Sequence, residues 1–402
     1  MTIEDMKNFL DGNNYDIRIN KNGRWIDQKC AWDVVCFVAD CIIVYLEDGG
    51  SQPFISPHIW HSQYAVDNVQ EMFSKPDPTA KSTLDEYNKL FRQPMKMLAA
   101  AGVLNEEKKG ASILFSVNRM DILEFIALRE KNAREFLCNY IVKTLKDSDL
   151  WDAFELFFEK QTVESFRELK NTFTTFSIDN TPINTPVEAS RIFSKVLNPL
   201  AFRYKKKGTD RGFLSKDIIT LDKIAYNQSN WRDEYSGKSK TVARGDYIPP
   251  VEASNTYSYR VERAKKTLRR FNDKYNNSQS EVVNERYDGI KASYMHHIFP
   301  QYSHPEIADY TENLIALTSE QHYTYAHPDG NTRLIDEAYQ YTCLIEKTDR
   351  IKRNLESKDQ MIIYTFDNFK YVLDKGFKSD VFSTIEEHDF TAILNKIDEF
   401  KP

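Results

Sequence analysis

Residues 294–328 read YMHHIFPQYSHPEIADYTENLIALTSEQHYTYAHP, and five of the chain's eight histidines fall inside that run. His296 and His297 stand together in a short apolar segment of strand type. Sixteen residues after His297 comes Asn313, within ENLIAL, and nine beyond that comes His322. On a strand successive side chains point to opposite faces, so two adjacent histidines are poorly placed to share one duty. The tandem pair therefore implies divided labour. Histidine suits it, because its ordinary pKa of about 6.5 lets it take a proton near neutral pH and its neutral ring also ligates metals.

The order of these residues resembles that of the HNH, or ββα-metal (His-Me finger), endonucleases, in which a hairpin supplies the histidine pair and a following helix supplies the last metal ligand. Hydrolysing a phosphodiester needs a base to take a proton from water and a cation for the charge developing on the phosphorane and leaving oxygen. The resemblance implies that His297 is the general base, that His296 and His322 are metal ligands, and that Asn313 ties the loop and holds the base ring in orientation. His327 is a further candidate ligand. It follows His322 by five residues, one more than in family members with a third histidine ligand, and on a regular helix it would stand about 140° further round. His304, in the loop SHPEIAD, is expected in solvent. Asp309 and Glu312 are expected to be surface and helix-cap charges.

At 402 residues, with 28% charged and 41% hydrophobic side chains, the chain has the composition of a globular protein of two or three domains. The opening MTIEDMKNFLDGNN lacks the basic start and apolar core of a signal peptide, and no apolar run is of membrane-spanning length. A cytoplasmic location and no membrane partner are the expectation. The five cysteines, Cys30, Cys36, Cys41, Cys138 and Cys343, include no CxxC pair, which argues against both a disulfide framework and a four-cysteine structural zinc. Any metal should be catalytic.

The net charge of −6 conceals a strong asymmetry: Asn198 to Tyr275 holds 18 Lys and Arg against 9 Asp and Glu, leaving −15 for the rest. A concentrated basic region in an acidic protein fits a phosphate-tracking surface. Within it lie the loop-like FRYKKKGTDRGFLSKD, with Arg203, Lys205 and Lys206, and the helix SYRVERAKKTLRRFNDKY, with Arg263, Lys266 and Arg270 at helical spacing. NWRDEYSGKSKTVARGDYIPP, polar and punctuated by Gly and Pro, reads as a linker.

Earlier in the chain, apolar density over Asp27–Tyr45, helical patterns over Tyr64–Ser74 and from Ser82 towards Gly102, and two strand-like pieces around a charged turn at Glu106–Gly110 give the order of a winged helix. Lys89, Arg92, Gln93 and Lys96 share one face of the third helix, suited to a major groove, with Lys108 and Lys109 on the wing for phosphates. The opening GRWIDQKCAWDVVCFVADCI also resembles the start of certain type II restriction endonucleases that join such a module to an HNH domain.

The predicted fold class is α+β, predominantly helical: a winged-helix-like domain over 1–125, a helical scaffold with a basic DNA-contacting loop over 126–245, and a ββα-metal domain over 246–402. A further helix is expected over Thr332–Leu355, with Lys347, Arg350 and Lys352 near its end as phosphate contacts. The resemblance implies a site-specific type II endonuclease that cuts double-stranded DNA with one divalent ion, magnesium by default or Mn, Ni, Co or Zn. Products would carry 5′-phosphate and 3′-hydroxyl ends, and one site per chain implies a homodimer. A less specific HNH defence nuclease or toxin, and a winged-helix DNA-binding regulator with a non-catalytic HNH fold, are the alternatives.

Overall fold

The computed structural model describes residues 1–73, 78, 83–226, 256–283, 289–327 and 335–401. The chain is α+β and predominantly helical. It divides into two compact units, Met1–Ser254 and Asn255–Pro402.

The first unit is built around α2, Trp32–Glu47, which follows α1, Ile3–Asp11. Val34 to Ala39, Cys41 and Ile42 are all fully buried, as expected of a helix that is apolar all round. It is surrounded by α3 (Ser56–Trp60), α4 (Gln63–Phe73), α5 (Leu84–Ala100), α6 (Met120–Leu128) and α7 (Glu130–Asp147). The expected boundary at 125/126 falls inside α6, which packs on α2. Residues 1–125 and the helices after them thus share one core. The linker expected over 230–250 and the 245/246 boundary lie outside the described residues.

Between α5 and α6, β1 (Leu104–Lys109) and β2 (Ser112–Val117) pair antiparallel from Leu104↔Val117 to Lys109↔Ser112, and Phe54 bridges Phe115 on the far side. Glu106 to Lys109 lie within the strand rather than in the turn. Gly110, with φ +62, closes a tight turn, so pairing runs through the charged residues. Helices α8 (Trp151–Lys160), α9 (Val163–Asn180) and α10 (Pro186–Arg203) follow. The segment read as a basic loop then forms a second hairpin, β3 (Lys207–Asp210) and β4 (Phe213–Ile218). A Cβ on Gly208 would stand 2.5 Å from Asn198 Oδ1, so its absence lets β3 lie against α10.

In the second unit, α11 (Thr256–Tyr275) packs on a two-stranded sheet of β5 (Tyr294–His297) and β6 (Leu314–Leu317). The register runs from Tyr294↔Leu317 to His297↔Leu314. All four β6 side chains are fully buried. After β6 come a π-helical segment, Gln321–Ala326, then α12 (Glu337–Glu356), α13 (Phe366–Phe377) and α14 (Phe390–Asp398). The outer edge of β6 is closed by Glu281, whose carboxylate accepts from Ala316 N at 2.8 Å and pairs with Lys347 at 3.3 Å and Arg350 at 3.7 Å. Lys347 and Glu281 are buried and the Arg350 guanidinium lies over the Phe271 ring, so Lys347 and Arg350 serve this internal network rather than phosphates. Lys352 is exposed. Gly376 lies against Phe299, where a Cβ would come within 2.3 Å of the ring.

Candidate metal centre

Strand β5 carries His296 and His297 to one end of the sheet, where both line a cleft of about 600 Å³ with Lys265, Tyr294, Tyr302, His322 and His327. Three of the imidazoles converge. His296, His322 and His327 each offer a ring nitrogen, and these atoms all lie within 4.8 Å of one another. Ring centroids are 5.3 Å apart for His296 and His322, 4.9 Å for His296 and His327, and 4.7 Å for His322 and His327.

The π-helical segment explains how His327 joins this group. In a regular helix the fifth residue on has turned away, but i→i+5 hydrogen bonding adds a residue to the turn and returns it to the same face. The five-residue interval that reads as a misfit on an α-helix thus matches the backbone between these two histidines. Tyr294 stacks on His322 at 4.4 Å with an interplanar angle of 12° and fixes the ring from the other side.

Burial disfavours the charged form of His296, His297 and His322. His296 is driven well below the usual histidine value, first by burial and then by His327, His322 and His297. For His322 the value is about 4, from burial and the charge of His327. His322 Nδ1 is buried without a hydrogen-bond partner among the described residues, which ordinarily costs stability. Three converging imidazoles, two of them held neutral by burial and one with an orphaned ring nitrogen, are a donor set that fits a divalent metal ion.

His297 is separate from this triad. Its Nε2 lies 3.0 Å from the Ala308 carbonyl oxygen; a carbonyl only accepts, so Nε2 carries the proton and Nδ1 keeps its lone pair. Burial lowers its pKa to about 4. Asn313 does not touch this ring. Fully buried, it accepts from Phe299 N at 2.8 Å and donates to Phe299 O at 3.0 Å and Ile307 O at 3.3 Å. It thereby cross-ties the loop whose next residue, Ala308, orients His297. The reading of Asn313 as loop tie fits this geometry; direct contact with the base does not.

Other expectations need correction. His304 is buried, with Nδ1 2.9 Å from Ser303 Oγ. Glu312 is buried and accepts from Thr365 N at the start of α13, while Asp309 pairs with Arg260 at 3.4 Å. On α11, Arg263 is buried with its guanidinium over the Tyr259 ring, and Lys266 and Arg270 are half-buried. Among the described residues, the cation that reaches the cleft is Lys265, which pairs with Glu262 at 3.0 Å. The apolar stripe Val261, Ala264, Leu268 and Phe271 marks the core face and could have identified Lys265 from the sequence.

In the first unit, Lys89 and Arg92 are exposed on α5. Gln93 instead accepts from Lys29 N at 2.9 Å, and Lys96 pairs with Glu106 at 3.5 Å. Lys108 and Lys109 are exposed at the end of the first hairpin. Arg203 and Lys205 are exposed and Lys206 half-buried, with Arg203 3.9 Å from Glu135. All five cysteines are free and buried, and no described helix is long and apolar enough to cross a membrane. No family model, curated protein or solved structure matches the chain.

Proposed function

We propose that the chain is a metal-dependent HNH-type endonuclease that cuts double-stranded DNA at specific sites. The observation that carries this reading is the convergence of three histidines on one point, with a fourth histidine in the same cleft held by a backbone carbonyl so that its Nδ1 is free. The ion's ligands would be His296, His322 and His327. A set of imidazoles with no carboxylate among the described residues of the group favours manganese, cobalt, nickel or zinc over the magnesium expected by default, because magnesium prefers oxygen ligands. When bound, such an ion supplies positive charge to the scissile phosphate and the leaving O3′.

His297 Nδ1 would take the proton from the attacking water, while Ala308 O holds the ring through Nε2–H and Asn313 positions that carbonyl through its ties to Phe299 and Ile307. Lys265 would meet a phosphate at the cleft wall, and the exposed Tyr302 (88% accessible) offers a flat surface at its mouth. Products would be 5′-phosphate and 3′-hydroxyl ends. Sequence reading is assigned to the first unit, where a helix–hairpin arrangement of winged-helix order exposes Lys89, Arg92, Lys108 and Lys109. One such site per chain implies that two copies act together on the two strands.

The test is digestion of phage-length duplex DNA with each divalent ion, with and without EDTA, by the wild type and His297→Ala. Discrete fragments that need metal and vanish in the variant support the proposal. A smear would mean a nuclease without site preference; binding without cutting in both proteins would make the chain a DNA-binding regulator.

A further inference from the structure

A cavity of about 760 Å³ in the first unit lies between α10 and the β3–β4 hairpin. Its size is that of a small-molecule site, typically ~300–1,000 Å³. Lys195, Arg211, Lys216 and Lys223 line it against Asp210 and Asp217, so among the described lining residues cations outnumber carboxylates. Lys195 is half-buried on α10, and burial lowers its pKa. Asp33, a carboxylate whose charge acts on it, already accepts from Val34 N and Tyr226 N. Thr209, 6% exposed, also lines the cavity, and its hydroxyl has no hydrogen-bond partner among the described residues.

The mouth is of different chemistry. Phe213 follows the two-residue turn of the hairpin, where Arg211 and Gly212 have φ of +50 and +85, and Lys170 Nζ donates to Gly212 O at 2.9 Å. That anchored turn presents the Phe213 ring 76% exposed. An aromatic face in water beside a basic recess suits a ligand with a flat ring at one end and an anion at the other.

We propose that this cavity binds a nucleotide unit, its phosphate against Lys195 and Thr209 and its base on the Phe213 ring. The unit has two sources, a free nucleotide or a nucleotide carried by DNA. The inference stands independently of the nuclease reading, since the cavity lies wholly within the first unit.

The experiment is titration of the full chain with dAMP, dTMP, inorganic phosphate and a short duplex, following binding by calorimetry, for the wild type, Lys195→Met, Lys195→Arg and Phe213→Ser. The nucleotides should bind the wild type, weaken about tenfold or more in Lys195→Met and recover in Lys195→Arg. Phe213→Ser, at an exposed position that folding does not depend on, should weaken nucleotides but leave inorganic phosphate unchanged. Displacement of bound dAMP by the duplex assigns the unit to DNA; dAMP retained on the duplex complex assigns it to a free nucleotide, and both uphold the site. Absence of nucleotide binding by the wild type, or equal affinities in wild type and both Lys195→Met and Phe213→Ser, would overturn it.

Discussion

Replacing Asn313 by alanine isolates the loop tie from the chemistry. Its amide makes three hydrogen bonds, two of them to the N–H and C=O of Phe299, itself only 2% exposed. Truncation strands that buried donor and acceptor at about 1–3 kcal/mol each and leaves a void, so about 4 kcal/mol is expected in all. Every tryptophan of the chain precedes residue 255, so tryptophan fluorescence reports the first unit and should give an unchanged urea midpoint. Hydrogen exchange measured on peptides covering 294–313 should rise by two to three orders of magnitude, most of all at the Phe299 amide. Cutting should fall with it, as Ala308 no longer holds His297. A protection loss equivalent to under about 1 kcal/mol, with cutting intact, would refute the assignment of Asn313 as the tie.

His327→Ala should weaken metal affinity on the order of a hundredfold in competition with a chelating dye, with the fold unchanged by circular dichroism; no change would remove it from the ligand set. Lys347→Met leaves Glu281 buried beside Arg350 alone among its two cations and should cost about 3–5 kcal/mol, much of it regained in Glu281→Gln/Lys347→Met, as read by calorimetric melting. Burial raises Asp33 from 3.8 to about 6. The folded state therefore favours its protonated form, and the penalty present above pH 6 is relieved as pH falls through the folded value towards the unfolded one. Relative to Asp33→Asn, the wild type should gain on the order of 1 kcal/mol between pH 7.5 and pH 5 in tryptophan-monitored urea unfolding; a difference independent of pH would contradict the shift.

The residues of the candidate metal centre were legible because their chemistry is local: a histidine pair in a strand-like segment, an asparagine just before the partner strand, and a histidine just beyond. The part that misled was geometry. A 3.6-residue period turns His327 away from His322, and nothing in QHYTYAH announces a π-helical backbone, whose extra residue per turn reverses that conclusion. KKKGTDRGFLSKD reads as a loop because it is charged, yet Gly208 admits close packing and Arg211–Gly212 supply the left-handed turn of a hairpin. Polar faces are also more engaged than their spacing suggests. Gln93 looks available for base contact but receives the Lys29 N–H, and Arg263 looks like a surface cation but lies buried over Tyr259. The Lys29–Gln93 pairing, like the link from Glu281 to Lys347, joins residues that helical periodicity cannot connect.

The most direct measurement counts bound metal and DNA cutting on the same samples of wild type, His297→Ala and His296→Ala. One ion per chain and cutting are expected for the wild type, one ion and no cutting for His297→Ala, and neither for His296→Ala. Loss of the ion from His297→Ala, or a wild type that holds its ion and leaves DNA intact, would contradict the division of labour between the histidine triad and His297.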